Sequence, residues 1–255
     1  MKKIASILFV ITIIQGMLAA PAAAKLRFKK PMPGGGSYTY VQSNGLRTTG
    51  TSVICTLSAT SAGDLIGITA FFPTDGVTGA SVTDSASEVY SAPTGGHAWM
   101  LTYFKANNVG GVTSITISST SSQISGAICF DYSPPTSGTS PQDGNLIDSN
   151  QVSATTYTSG AITGTTGTAD LVLGFILNFT NSTNAPSPNA PFAVRKEYVD
   201  SGAGVRYSMV DTLNTNPSGV ANSGSWGASI TYDASIIAFY GVSASGPQAD
   251  QVIVF

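Results

Sequence analysis

The chain has 255 residues, 42% of them apolar and only 9% charged, with 13 acids against 11 basic residues. That apolar and aromatic content excludes a disordered chain. Past Pro31 only Arg47, Lys105, Arg195, Lys196 and Arg206 face all 13 acids, a balance that repels phosphate and excludes nucleic acid as a partner.

From the N-terminus, Lys2 and Lys3 precede the apolar run "IASILFVITII", which closes through "QGMLAAPAAA". This charged, apolar, small-residue order predicts a secretory signal over residues 1–24, cleaved after Ala24 to leave Lys25 as the mature N-terminus. The competing reading is an uncleaved anchor, since Ile4 to Ala24 could nearly span a bilayer. The basic "KLRFKK" favours it, whereas Gln15, Gly16 and Pro21 weaken it. The expectation is therefore a secreted, periplasmic or surface-attached protein with no transmembrane span after signal removal. Residues 25–37 are basic and then Gly/Pro-rich, residues 38–243 read as one folded domain, and residues 244–255 read as a tail.

No helical period follows Pro31. Short β-branched and aromatic runs recur instead, separated by Gly, Pro, Asn, Asp and Ser. Strands are expected at "YTYVQS", "TSVICTLSA", "LIGITAFF", "ASVTDS", "EVYSA", "AWMLTYFKA", "SITISS", "SGAICFDYS", "TTYTSGAIT", "DLVLGFILNF", "FAVRKEYVD", "RYSMVDTL" and "ASIIAFYGVS". Several are apolar on both parities, as central strands are. About a dozen short strands in some 200 residues predict an all-β chain, a single antiparallel β-sandwich of jelly-roll type. Ser and Thr, 33 and 30 in number, take the surface places that Lys and Glu usually fill.

The succession "SVICTLSATSAGDLIGITAFF", "SVTDSASEVY", "AWMLTYFKANNVGGVTSITIS", "AICFDYS", "TADLVLGFIL", "SIIAFYG" resembles a loose group of bacterial secreted β-sandwich surface modules. The resemblance covers most of Ser52 to Gly241, and its motifs are structural. In that group an Asp-Ser-Ala-Gly-Asn-x-Tyr stretch is a strand-turn-strand, which implies that Asp84 and Ser85 are turn formers and not catalytic. Ser87 and Glu88 stand where Gly-Asn is usual. Neither tolerates positive φ cheaply, so a turn of different type or length is expected.

Two cysteines, Cys55 and Cys129, would be exported to a compartment that permits a disulfide. Alternation speaks against pairing. Cys55 is in phase with inward Val53 and Leu57, whereas Cys129 is out of phase with Ile128, Phe130 and Tyr132. Two free thiols are the expectation, with a Cys55–Cys129 bond as the alternative.

No catalytic residue, metal ligand or cofactor is assigned. The one histidine, His97, has no G-x-S-x-G serine to activate and no metal-ligating neighbour at the right spacing. A glycosidase would need two acids across a groove. The strand candidates are Glu88, Asp131, Glu197 and Asp211, of which Glu197 is expected to pair with Arg195. Asp143, Asn145, Asp148 and Asn150 offer oxygens for calcium but miss the EF-hand order. Trp99 sits in an apolar run and is expected in the core. Trp226, in "NSGSWGAS", is flanked by small residues, so it is the candidate ligand-binding residue, its ring face suited to stacking on a sugar. The terminal "DQVIVF" reads as an edge strand or as a tail that adds to a partner's sheet. The functional expectation is a non-catalytic binding module for a glycan or surface protein. Alternatives are a structural component of an envelope or extracellular assembly and, least favoured, a glycoside hydrolase. Composition does not set the oligomeric state.

Overall fold

The computed structural model describes residues 38–73, 80–94, 99–120, 123–133, 141–149, 152–165, 170–180, 182–214 and 217–240. The signal segment, His97, Asn150 and the C-terminal tail lie outside them. Among the described residues there is no helix, and every strand pairing is antiparallel.

The first half supplies β1 (Thr39–Arg47), β2 (Ser52–Thr56), β3 (Leu65–Phe71), β4 (Ala80–Asp84), β5 (Met100–Lys105), β6 (Ser114–Ser119) and β7 (Gly126–Ser133). They form a four-stranded sheet, β1-β7-β3-β5, and a three-stranded sheet, β2-β6-β4. The second half supplies β8 (Ile147–Asp148), β9 (Val152–Ala161), β10 (Asp170–Asn178), β11 (Ser187–Pro188), β12 (Ala193–Asp200), β13 (Val205–Asn214) and β14 (Ala221–Phe239). These build a seven-stranded sheet along β11-β14-β10-β13-β12, with β8 and β9 also on β14.

The all-β sandwich is as expected, but three sheets build it, and a further core around Tyr157, Val172, Ile176 and Trp226 lies within the seven-stranded one. β3 is buried at every position, and β7 at all but its last. One parity, Ile66, Ile68, Ala70, Ala127 and Cys129, packs on Val53, Cys55, Ile115 and Ile117 of the three-stranded sheet. The other, Phe71, Ile128, Phe130 and Tyr132, packs on Leu173, Phe175, Tyr207 and Phe239 of the seven-stranded sheet. The four-stranded sheet is therefore the filling of the stack, which is why its two central strands, β3 and β7, read as continuous apolar runs. Gly67 is part of this packing, because a Cβ there would collide with the Phe130 ring and meet the Tyr103 carbonyl oxygen at 2.7 Å.

This layering corrects the cysteine expectation. Alternation places Cys129 opposite to Phe130, as read, yet both faces of β7 are core. Cys129 meets Cys55 across the layers, and the two form a disulfide with Cα atoms 6.0 Å apart.

Local departures have local causes. "EVYSA" is not a strand; only Ser91 bridges to Phe104. Asp84 Oδ1 accepts the N–H groups of Ala86 (2.8 Å) and Glu88 (3.0 Å), and Tyr90 donates its hydroxyl to Asp84 Oδ2 at 3.0 Å. These bonds fold the chain into a turn that holds Ser87 at φ 62°. The turn-forming reading of Asp84 stands, and serine adopts the left-handed conformation that glycine would take more cheaply.

Candidate functional site

Trp226 is not an exposed platform. It lies on the inward parity of β14, 7% exposed, with its ring centroid 5.1 Å from Tyr157 and 6.1 Å from Tyr232. The reason is the 19-residue length of β14, whose first half turns back over the second. Asn222 Nδ2 donates to the carbonyls of Phe175 (3.3 Å) and Ser235 (3.1 Å), fixing that fold-back. Of the small residues around Trp226, buried Gly224 permits close packing against the Ser187 carbonyl and the Tyr157 ring, whereas Ser225, Gly227, Ala228 and Ser229 are themselves exposed. Trp99 departs in the other direction: it is half-buried, edge-on to Phe179 at 4.9 Å.

The carboxylates divide into separate structural assignments. Glu88 pairs with Lys105 at 3.4 Å. Glu197 pairs with Arg206 at 2.9 Å and accepts Ser208 Oγ at 3.2 Å. It does not pair with Arg195, because a β-bulge between Val194 and Lys196 takes Arg195 out of phase. Arg195 Nε instead donates to Asp211 Oδ1 at 2.7 Å, while Tyr132 donates to Asp211 Oδ2 at 2.7 Å. The Arg195 guanidinium also lies over the Tyr40 ring, 5.2 Å from its centroid. This cluster joins β1 and β7 to β12 and β13, and burial together with the Asp211 charge holds the Tyr132 phenol well above its usual range. Asp131 is fully buried beside Asp64.

The calcium candidates Asp143 and Asp148 lie at separate places along β14, opposite Ala238 and Ser235. Asp143 is fully buried, while Asp148 lies within hydrogen-bonding reach of Asp233 on β14. Burial and the Asp148 carboxyl push Asp233 up to about 9. Among the described residues no group of three or more His, Cys, Asp or Glu could hold a metal ion, and no helix is long and apolar enough to cross a membrane.

An open cavity of about 210 Å³ lies where the end of β1 meets the chain leading into β7 and the start of β13. Its apolar lining is Pro73, Ile124, Ala203, Val205 and Tyr207; its polar lining is Arg47, Thr48, Thr49, Gln123 and Ser125. Arg47 Nη1 is 2.6 Å from Asp200 Oδ2, with the Arg47 side chain 38% exposed. Tyr207 is locked by its hydroxyl, which donates to the Ser125 carbonyl at 3.0 Å. The cavity thus combines an apolar wall with hydroxyls, an amide and a charge-balanced Arg–Asp pair. Such a set places apolar surface beside groups that can hydrogen-bond hydroxyls. The sequence reading missed it because its lining comes from four separated stretches, none carrying a motif.

No family model matches the chain, and no curated protein or solved structure matches it.

Proposed function

We propose that the chain is a secreted or surface-attached, non-catalytic binding module that takes one sugar residue of a surface glycan in the Arg47–Tyr207 cavity. The observation that carries the reading is the lining of that cavity. A pyranose presents C–H groups on its faces and hydroxyls at its rim, and the cavity offers Ile124, Val205 and Pro73 for the first and Arg47, Thr48, Thr49 and Gln123 for the second. At about 210 Å³ it is smaller than the roughly 300–1,000 Å³ of drug-sized sites, which suits one ring better than a chain. The Asp200 partner cancels the Arg47 charge, so a neutral ligand is favoured over an anion.

The non-catalytic part of the reading is supported by the separate engagement of Glu88, Glu197 and Asp211 in ion pairs. Export is supported by the order of residues 1–24 and by the Cys55–Cys129 bond, since such bonds persist in oxidising compartments. N-terminal sequencing should find Lys25 first; an intact Met1 on membrane-bound material refutes cleavage.

A glycan-array screen followed by calorimetry on the best binder tests the site. Arg47→Ala should weaken binding by about 1–3 kcal/mol, the range for a central interface contact, with the fold unchanged. Binding that ignores Arg47→Ala refutes the site, and a folded protein that captures no glycan refutes the ligand class. The second reading is a structural component of an extracellular assembly. It is favoured by Val41 and Val194, exposed beside the Tyr40–Arg195 contact, and would appear as ordered self-association in sedimentation.

A further inference from the structure

Asp131 is the last inward residue of β7 on the face toward the three-stranded sheet, opposite Gln42 on β1 and Ile66 on β3. It is fully buried, and Asp64, 3% exposed, sits within hydrogen-bonding reach of its carboxyl. Asp131 Oδ2 accepts Gln42 Nε2 at 3.0 Å, whereas Oδ1 has no hydrogen-bond partner.

Among the described residues no cation compensates the pair. From β5, Lys105 is aligned with Asp131 through Ile66 but is engaged by Glu88. From β1 comes only the neutral Gln42, which also clamps Ser58 through both backbone groups at 2.9 and 2.8 Å. The chain beyond β2 contributes Thr60 and Ser61, and the turn after β5 contributes Asn108, none of them titratable near neutrality. Asp84 of the three-stranded sheet is held by Tyr90. Two carboxylates in such contact cannot both ionise without a large repulsion in a dry site.

We propose that Asp131, held protonated in its buried place beside Asp64, forms a pH-sensitive latch that holds the 57–64 and 107–112 loops to the sandwich in mildly acidic medium and loosens in neutral and alkaline medium. Asp64 is the knot of those loops. Its Oδ2 accepts the Ser61 N–H at 3.0 Å, and its carbonyl accepts the Asn108 N–H at 3.2 Å and Nδ2 at 2.9 Å. Gly63 N–H donates to the Asn108 carbonyl at 2.8 Å. Loss of the Asp131 proton puts a buried charge at that knot, beside the Asp64 carboxyl, and the repulsion pulls on both loops.

The direction of the pH effect follows. Burial, partly offset by the Gln42 hydrogen bond and reinforced by Asp64, lifts Asp131 to about 6. A folded value above the unfolded one, about 3.9, contributes stability that is complete below the unfolded value and lost as pH rises through the folded one. Thermal unfolding of the full chain from pH 4 to 9 with chelator present is the test. The wild-type midpoint should fall by about 5 °C between pH 5 and pH 7.5, with proteolysis at residues 57–64 increasing in parallel. Asp131→Asn, or Asp64→Asn if the first does not fold, should abolish that step. A step that persists in both variants, or a wild type as stable at pH 7.5 as at pH 5, overturns the latch. So does a calcium-dependent rise in midpoint at pH 7.5 that Asp131→Asn removes, since the pair would then hold a cation in place of the proton.

Discussion

Removing the Cys55–Cys129 bond tests the layered architecture most directly. Cys55 is on β2 and Cys129 on β7, strands that share no ladder, so the bond ties the outer three-stranded sheet to the middle one. The closed loop spans 74 residues, and chain entropy for a loop of that length stabilises the fold by about 4.4 kcal/mol at 25 °C. Both bonded sulfurs are buried, with each cysteine 0% exposed, so Cys55→Ala/Cys129→Ala also leaves a small void, adding about 1 kcal/mol. Partial structure in the unfolded chain works the other way, and the net expectation is a loss of about 3–5 kcal/mol. For a domain of this size that corresponds to roughly 10 °C in Tm. Guanidinium unfolding followed by tryptophan fluorescence, on the oxidised protein and the double variant, measures it. Denatured but unreduced wild type should titrate no free thiol. Two titratable thiols, or a double variant within about 0.5 kcal/mol of wild type, would refute both the bond and the stacking of sheets that produces it.

Trp226→Ala should cost about 3–5 kcal/mol, whereas Trp226→Phe should cost far less, because the buried indole Nε1 has no hydrogen-bond partner to lose; paired denaturant titrations decide, and an Ala variant as stable as wild type refutes the core assignment. Tyr132→Phe strips one of two bonds from buried Asp211 and should cost about 1–3 kcal/mol by the same measurement; no change would mean that Arg195 alone satisfies the carboxylate. Ser87→Gly relieves a positive φ and should stabilise by about 0.5 kcal/mol once the added freedom of the unfolded chain is offset; a destabilised variant would show that Asp84 and its hydrogen bonds already remove the strain.

By itself the sequence determined what depends on neighbouring residues. Period-two alternation in "SVICT" and "SITISS", and apolar runs on both parities in "LIGITAF" and "DLVLGFILN", identified the strands and marked the central ones. Asp84 was legible as a turn former because its partners, the N–H groups of Ala86 and Glu88, lie two and four residues away. Alternation also separated Cys129 from Phe130 correctly. What it could not say is which faces are covered, since a face is buried by whatever sheet arrives from elsewhere in the chain. Only the tertiary structure decided that both faces of β7 are core, that β14 folds back to enclose Trp226, and that a bulge sends Arg195 to Asp211 and leaves Glu197 to Arg206. The Arg47–Tyr207 cavity belongs to the same class, because residues 47–49, 73, 123–125 and 203–207 meet only after the sheets have stacked. Strand identity is a property of local side-chain pattern; burial, ion pairing and concavity are properties of layers that contact one another across large separations in the chain.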